Sequence, residues 1–318
     1  MIEHVGSGPE NPMVSVVVPT FQHAAYIEKC LDSILMQQTT FPVEILIGED
    51  ESTDGTREIC QRLAEQHPDR IRLFLRSRKD VVYVEGNPTG RGNLMFLLSQ
   101  AKGKYIAFCE GDDFWTDPNK LAKQVALLEQ DRHCMGAYHD TAIVDAGGQV
   151  TGRIFRSHLP TQMTLLEVMV PLSPFHFSSF LTRNTPVTAK LPGWMRRVPS
   201  FDTAMYPLLI GNGYYAKADG VMSSYRKHQG GITNTPMHTN IGLDKGRIKL
   251  WTLFDQHDGY RHTRRAKELF LHHWAGIQQQ ATPRTRLRYL AELIQAAPTW
   301  FLRHPAFTLA RLRDCIRR

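Results

Sequence analysis

At residues 105–115 the chain reads YIAFCEGDDFW. The first five residues have the length and apolar character of a buried strand. Three carboxylates follow at once, from Glu110, Asp112 and Asp113. Clustered like charges are unfavourable unless a cation or hydrogen-bond donors compensate them, and hard oxygen ligands suit Mg²⁺ or Mn²⁺. The stretch therefore predicts a buried strand that ends in a site for a divalent cation and a diphosphate. A solvated acidic turn is the alternative.

The same succession of apolar strand and helix occurs earlier in the chain. Strand-like runs alternate there with segments of helical spacing, the former at 14–18, 43–47 and 71–75 and the latter at 24–37, 54–66 and 93–101. Strands that alternate with helices indicate βαβ units. We therefore predict an α/β fold with a mostly parallel central sheet flanked by helices.

Three polar strand ends should meet at one edge of this sheet, because ligands bind parallel sheets outside the carboxyl ends of the strands. These ends are Pro19-Thr20, Glu49-Asp50 and residues 110–113. Asp50 could accept hydrogen bonds from a base or ribose, although this segment taken by itself favours a polar strand-to-helix loop with a helix cap. No GxGxxG or GxxxxGK[ST] motif is present, which argues against dinucleotide-binding and P-loop folds.

The second half of the chain is more irregular. We expect extended segments at 135–139, 177–183, 214–218 and 221–225, with an irregular stretch at 151–175 between the first and the second. Asp202 opens an amphipathic segment. The spacing then predicts four helices, at 243–256, 264–280, 284–297 and 305–317. We predict a loose leader at 1–12, a main domain at 13–240 and a basic helical extension at 241–318.

The composition indicates an ordinary globular protein. The 318 residues are 42% hydrophobic, enough for one large domain with an appendage. No apolar run has the length of a membrane span, and the first residues lack a signal-peptide pattern. The five cysteines are odd in number and widely spaced, as in a cytosolic protein with reduced thiols. We therefore expect a cytoplasmic location.

The positive charge is concentrated in the C-terminal part. Residues 260–318 hold 12 of the 38 Lys and Arg and 3 of the 31 Asp and Glu, so the rest of the chain carries a net charge of −2. This weakens a nucleic-acid-binding interpretation of the whole protein. Residues 284–318 interleave aromatic and aliphatic residues with arginines, so peripheral contact with an anionic membrane at the inner face of the cell stays open. Packing of these helices on the main domain is the alternative.

Six short motifs occur in the order and spacing of a known family. They are PTF at 19–21, EDESTDGT at 49–56, AKGKYI at 101–106, EGDD at 110–113, the longer EGDDFWTDPNK at 110–120, and YRKH at 225–228. Together they resemble the inverting family-2 nucleotide-sugar glycosyltransferases of the GT-A fold, a Rossmann-like α/β architecture. The subgroup is that of bacterial polysaccharide assembly, and the resemblance covers about residues 13–235.

The resemblance implies roles for individual residues on the donor side. Pro19, Thr20 and Asp50 would bind the nucleotide, with Asp50 at the base. Glu110 would face the ribose or the sugar, and Asp112 would bind the nucleotide-sugar through a metal ion. The implied donor is a UDP-sugar, with guanine and thymine open as alternatives to uracil, and Mn²⁺ or Mg²⁺ is the implied cofactor.

The resemblance also implies metal-binding and catalytic residues. Asp113 would be a metal ligand or lie beside one, and His228 would contact the metal or the diphosphate. Asp202 stands where the family has its catalytic base, with a helix N-cap as the alternative. The segment FHFSS at 175–179 resembles one that lines the acceptor side.

Two departures from the family pattern are Glu49 and Glu110, which replace aspartates and set each carboxylate one methylene further out. The implied reaction is sugar transfer to a hydroxyl of a glycan or lipid-linked glycan, with inversion.

Two alternative functions remain. A nucleotidyltransferase would have a Gly-rich basic loop after the first strand, and residues 20–23 are not one. A nucleotide-sugar-binding subunit without catalytic activity is the other.

Overall fold

The computed structural model describes residues 3–231 and 241–316. Its strands are β1 (Glu3–Val5), β2 (Val14–Thr20), β3 (Val43–Glu49), β4 (Ile71–Leu75), β5 (Val82–Val84), β6 (Asn87–Thr89), β7 (Tyr105–Phe108), β8 (Phe114–Trp115), β9 (Cys134–Val144), β10 (Val150–Ile154), β11 (Gln162–Met163), β12 (Leu181–Arg183) and β13 (Tyr214–Arg226). Its helices are α1 (Ile27–Leu35), α2 (Thr56–Gln66), α3 (Arg91–Gln100), α4 (Lys120–Gln130), α5 (Leu165–Val168), α6 (Pro186–Ala189), α7 (Phe201–Ile210), α8 (Ile241–His257), α9 (Thr263–Gln280), α10 (Pro283–Ala296), α11 (Pro298–Arg303) and α12 (Pro305–Ile316).

The centre of the main sheet is parallel, as the βαβ pattern predicts. The strand order is β1-β4-β3-β2-β7-β12-β9-β13-β11, and β4, β3, β2 and β7 run parallel. Beyond β7 the sheet is mixed, because β12 is antiparallel to both neighbours while β9 and β13 pair in parallel. The predicted α/β fold of GT-A type, with helices around a central sheet and a helical C-terminal part, is confirmed.

The central strands are buried on both faces, which explains their continuous apolar sequences. Every residue of β3 is buried. One face of the sheet packs on α1, α2 and α4, and the other packs on α3, α7 and the C-terminal helices. The polar Glu44 of β3 is tolerated there because it pairs with Arg72 at 2.8 Å and accepts a hydrogen bond from Ser15 at 2.5 Å.

Two expectations about chain segments are corrected. Residues 3–5, expected within a loose leader, form β1, which pairs antiparallel with β4 at the edge of the sheet. The stretch 151–175, expected to be irregular, contains β10, β11 and α5. The extended segments at 214–218 and 221–225 are parts of one strand, β13, whose pairing with β9 shifts register between Lys217 and Val221.

The strand expected at 177–183 is shorter than predicted. Only Leu181–Arg183 is a strand, and Phe177–Ser179 is a 3₁₀ turn. The hydroxyl of Ser179 donates to the carbonyl of His176 at 2.6 Å, and the His176 ring accepts the Ser178 N–H. Such local side-chain bonds compete with the strand ladder, so the turn replaces the first half of the strand.

The C-terminal helices pack on the main body. Trp274 of α9 and Trp300 of α11 are buried in the same apolar cluster as Leu46 of β3. The buried carboxylate of Asp255 in α8 accepts hydrogen bonds from Trp300 Nε1 at 2.8 Å and Thr263 Oγ1 at 2.7 Å. These bonds join α8, α9 and α11. Within residues 3–231 and 241–316, no helix combines the length and the apolar character needed to cross a membrane.

We expect Trp300→Ala to lower the free energy of unfolding by about 3–5 kcal/mol, because it empties a packed core site and removes a bond to buried Asp255. The matched control is Leu302→Ala on the same helix, where the side chain is 79% exposed and Trp300 is 0% exposed. That control should change stability by less than about 0.5 kcal/mol. Urea unfolding followed by circular dichroism measures both. Equal effects would contradict the packing of α11 into the core.

Candidate active site

The three polar strand ends lie side by side at one edge of the sheet, as predicted from the sequence. Thr20 of β2 pairs with Glu49 of β3, and β2 also pairs in parallel with β7, which leads into Glu110. The Asp50 N–H donates to the Thr20 carbonyl at 3.1 Å. The Gly111 N–H donates to the Pro19 carbonyl at 3.2 Å. The backbone itself therefore holds these loops together.

Gly111 is needed for this close approach. A Cβ atom at this position would lie 2.5 Å from Thr20 Oγ1 and 2.8 Å from His23 Nδ1. Thr20 and His23 are themselves hydrogen-bonded at 3.1 Å. The His23 Nε2 atom is 3.8 Å from Asp112 Oδ2, so this ring belongs to the site. Sequence reasoning missed His23, although it lies two residues after the PTF motif.

Asp50 and Glu49 have different environments. Glu49 is fully buried and accepts hydrogen bonds from the Ser52 N–H at 2.7 Å and from Arg57 Nε at 2.5 Å, so it fixes the loop after β3. Asp50 has one partner on its neighbour loop, Arg78, at 3.3 Å. Burial raises the pKa of Asp50 in spite of Arg78. Asp50, and not Glu49, therefore offers a carboxylate to a ligand.

Asp112 is held by a histidine from the far end of the domain. The Nε2 atom of His228 is hydrogen-bonded to Asp112 Oδ2 at 2.9 Å. Burial opposes ionisation of Asp112, but the bond with His228 and the charge of His23 lower its pKa below the usual range. Asp112 and His228 are 116 positions apart in the sequence, and both were expected at one metal site. The structure brings them together.

Asp113 is a structural link within the site. Its side chain is almost fully buried, and Ser178 Oγ donates to Oδ2 at 2.5 Å while the Arg226 N–H donates to Oδ1 at 3.0 Å. Burial and the charge of Asp112 raise the pKa of Asp113 well above its usual range. With both oxygens engaged, Asp113 suits a place beside a metal ligand better than direct coordination.

A second set of possible metal ligands includes a residue that sequence reasoning assigned to another role. One ligand-type atom from each of Glu110, Asp113 and His176 lies within 4.8 Å of the other two, although both Asp113 oxygens already accept hydrogen bonds. Burial lowers the pKa of His176 to about 3, so its ring is neutral and can coordinate a cation. The sequence pattern had suggested only an acceptor-side role for the segment that contains His176.

Glu110 faces other carboxylates. Burial and the charges of Asp112 and Asp113 raise the pKa of Glu110 well above its usual range, and the charge of Asp202 adds to this effect. Carboxylates that oppose one another's ionisation, together with the neutral imidazole of His176, fit a divalent cation such as Mn²⁺. The donor set therefore agrees with the predicted cofactor, while the choice between Mn²⁺ and Mg²⁺ stays a prediction.

Asp202 lies in the first turn of α7. The N-cap of this helix is Ser200, so the alternative of Asp202 as an N-cap is wrong. The hydroxyl of Ser173 donates to Asp202 Oδ2 at 2.5 Å and is itself 2.7 Å from Thr203 Oγ1. This pair of hydroxyls fixes the carboxylate, which is partly exposed and close enough to influence the pKa of Glu110.

The loop before α7 is held by a buried arginine that sequence reasoning missed. Arg91 of α3 donates to the carbonyl oxygens of Met195 and Pro199, each at 3.1 Å, and also to that of Val198. No local sequence motif predicts that Arg91 would bind these carbonyl oxygens. The contact arises because α3 packs beside the segment that leads to Asp202.

The comparison with protein families agrees with this geometry. The model of glycosyl transferase family 2 matches residues 15–187. The chain belongs to glycosyltransferase family 2. The match covers all three strand ends and the 3₁₀ turn at 177–179, while Asp202 and His228 lie beyond it.

Relatives of this family-2 chain come from several bacteria. An uncharacterized protein of Mycobacterium tuberculosis is 30% identical over 223 residues, which are 69% of this chain and 60% of that protein. The GalNAc(5)-diNAcBac-PP-undecaprenol beta-1,3-glucosyltransferase of Campylobacter jejuni is 36% identical over 102 residues, 32% of this chain and 30% of the relative. This chain thus matches less than two thirds of the length of each of these relatives.

Solved structures share the fold of this family-2 chain. Residues 1–349 of S. aureus TarS, in complex with UDP-GlcNAc, align with a TM-score of 0.65 and 17% identity over 95% of this chain and 88% of that one. The mannosyltransferase PcManGT from Pyrobaculum calidifontis, in complex with GDP-Man and Mn²⁺, aligns with a TM-score of 0.50 and 20% identity over 98% of this chain and 88% of that one.

Proposed function

We propose that this protein is a metal-dependent, inverting glycosyltransferase. It transfers a sugar from a UDP-sugar to a hydroxyl of a glycan or lipid-linked glycan, in the assembly of bacterial cell-surface polysaccharide. The observation that carries the proposal is the position of Asp202 relative to the carboxylates after β7. Asp202 is close enough to Glu110 for its charge to raise the pKa of Glu110, which puts a base candidate near the proposed donor-binding edge of the sheet.

The donor side of the proposal rests on the strand ends. Asp50 accepts hydrogen bonds from the base, Thr20 and the Pro19 segment contact the nucleotide, and Glu110 faces the ribose or the sugar. The guanidinium of Arg78 stacks 3.8 Å from the Phe21 ring and bonds to Asp50, which fits a flat wall beside a base. The UDP-GlcNAc complex of TarS supports a UDP-sugar as donor.

Asp202 is the proposed general base. Ser173 donates a short hydrogen bond to Oδ2, whereas the Thr203 hydroxyl is 3.5 Å from Oδ1. Because Oδ1 is the less engaged oxygen, it is the one that can accept a proton from the acceptor hydroxyl. The acceptor oxygen then attacks the anomeric carbon on the face opposite the diphosphate, which inverts the configuration. Positioning and electrostatics supply most of the rate, since no covalent enzyme intermediate is required.

A divalent cation, when bound, supplies positive charge that stabilises the departing diphosphate. Asp112 and His228 are the residues proposed to hold it, with Glu110 and His176 as the neighbouring candidate ligands and Asp113 as the buried support. The Mn²⁺ in the PcManGT complex supports this choice of cofactor.

We expect Asp202→Asn to reduce transfer by about 10²–10⁴-fold, because the amide cannot accept the proton of the acceptor hydroxyl. UDP binding should be unchanged, since Asp202 does not contact the nucleotide. The matched control is Asp32→Asn, the same chemical change at an exposed position of α1. Transfer from a labelled UDP-sugar to a panel of glycans measures the rate. A near-normal kcat in Asp202→Asn would show that the base is a different residue.

We expect UDP to raise the melting temperature only when Mn²⁺ or Mg²⁺ is present. A ligand at a hundred times its Kd adds about 2.7 kcal/mol of stability. Asp112→Asn should abolish this shift, and Asp117→Asn, on the adjacent turn, should preserve it. Thermal denaturation with a panel of nucleoside diphosphates and triphosphates makes the measurement. A shift with triphosphates alone would favour a nucleotidyltransferase, and transfer-free UDP binding would favour a non-catalytic subunit.

The C-terminal helices carry a second proposal, a peripheral contact with the inner face of an anionic membrane. Leu302, Leu309 and Leu312 are exposed, and they alternate with the arginines of residues 303–313. A lipid-linked acceptor would be reached from this position. We expect the intact protein to sediment with anionic vesicles at low salt and not with neutral ones, and Leu302→Ser with Leu309→Ser to weaken binding. Failure of the intact protein to sediment would refute the membrane contact.

A further inference from the structure

A cleft of about 820 Å³ opens beside Asp202, within the size range of ligand-binding pockets. Its walls come from β10 and the residues after it, the end of β13, helix α8 and the segment around Ser173. Ser173 is the residue that donates to the Asp202 carboxylate at 2.5 Å. The cleft therefore adjoins the proposed base through Ser173. Thr20, Asp50 and Asp112, the proposed donor contacts, do not line it.

Four positive side chains line this cleft, those of Arg153, Arg156, Lys227 and Arg247. Across residues 3–231 and 241–316, none of them forms a side-chain ion pair or hydrogen bond. The Nε atom of Arg247 is shielded from solvent without a hydrogen-bond partner in this part of the chain. By contrast, Lys217 of β13 is paired with Asp140 at 2.8 Å.

Two of these cations, Arg156 and Arg247, also repel each other. Burial lowers the pKa of Arg247, and the charge of Arg156 lowers it further, although Asp244 and Asp202 act in the opposite direction. Neither of these carboxylates lines the cleft, so the guanidinium groups that converge on it are unfavourable there unless an anion enters. Arginine side chains bind phosphate oxygens with two parallel hydrogen bonds, which favours phosphate over other anions.

We propose that this cleft binds the acceptor, and that the acceptor carries a phosphate group held by Arg156, Lys227 and Arg247. The proposal rests on the proposed glycosyltransferase activity and adds the chemical class of its acceptor. The phosphate anchors the molecule in the cleft, and a nearby hydroxyl then lies against Asp202. A phosphate within a polymer and one that links a glycan to a lipid have the same recognition chemistry. A uronic acid would present a carboxylate instead.

The test uses glucose 1-phosphate as probe, titrated calorimetrically into protein saturated with UDP and Mn²⁺ so that the donor site is occupied. Glucose and glucuronate are the matched neutral and carboxylate probes. We expect glucose 1-phosphate to bind in a salt-dependent manner, with glucose and glucuronate at least about tenfold weaker, because charged hydrogen bonds are the difference. Equal binding of glucose and glucose 1-phosphate would overturn the proposal. Stronger binding of glucuronate would move the assignment to a uronic acid and overturn the phosphate.

The double variant Arg156→Gln with Arg247→Gln should weaken glucose 1-phosphate binding at least about tenfold. The control is Arg264→Gln, at a side chain that is 95% exposed and pairs with Glu268. Arg156→Gln alone, at an exposed position, repeats the test if the double variant does not fold. Unchanged binding in these variants would overturn the proposal, as would binding that UDP abolishes.

The experiments distinguish failure of the proposed glycosyltransferase activity from failure of the proposed phosphate-bearing acceptor. If UDP does not bind to the wild-type protein, the proposed function is wrong, and phosphate binding to the cleft is then measured without UDP in the same variants. If UDP binds and the cleft variants bind glucose 1-phosphate normally, the glycosyltransferase proposal stands and the phosphate-bearing acceptor does not. In the transfer assay, the cleft variants should raise the KM for the acceptor and leave the KM for the UDP-sugar unchanged.

Discussion

The geometry of the site depends on the buried carboxylate of Asp113. It receives one hydrogen bond from Ser178 and another from the backbone of Arg226, so it joins three segments that are far apart in the sequence. A buried carboxylate without such donors would be strongly unfavourable, which makes this arrangement nearly obligatory once the loop after β7 is buried. Arg226 in turn donates through Nε to the carbonyl of Asp112 at 2.8 Å. The end of β13 is thereby fixed against the acidic loop.

The contact between the end of β13 and the acidic loop positions two residues that face regions of opposite charge. Lys227 and His228 follow Arg226 directly. His228 bonds to Asp112 on the acidic side, while Lys227 lines the basic cleft. The strand end therefore separates a negative region, suited to a cation and a diphosphate, from a positive region suited to an anion. Asp202 lies between them, bonded to Ser173 from the cleft and electrostatically coupled to Glu110.

The carboxylates of the site have environments that push their pKa values apart. His228 and His23 lower the pKa of Asp112, whereas burial and neighbouring charges raise those of Glu110 and Asp113. Divergent pKa values within one cluster are typical of functional sites, because they allow neighbouring acids to differ in protonation. A bound cation would favour the ionised form of each carboxylate and so relieve the repulsion.

Much of the fold could be predicted from local pattern. The apolar runs of β2, β3 and β7, and the polar residues at their ends, predict a parallel sheet whose polar strand ends meet at one edge, and both features are present. Local pattern was less reliable at residues 177–179, where side-chain bonds from Ser179 and to His176 replaced the expected strand. It also gave no sign that residues 3–5 would extend the sheet, because an edge strand gains its stability from its neighbour.

The sequence determined the strands and helices of the sheet, because their periods depend on a few neighbouring residues. It also gave the identity and spacing of the acidic, aromatic and histidine motifs at the strand ends. It left open which of these residues meet. The roles of Asp113 as a buried link, of His176 beside Glu110, of Arg91 behind the Asp202 loop and of four cations around one cleft all came from tertiary packing. Each depends on contacts between residues distant along the chain. Such pairings are selected by burial and electrostatic compensation in the folded state, which no local pattern encodes.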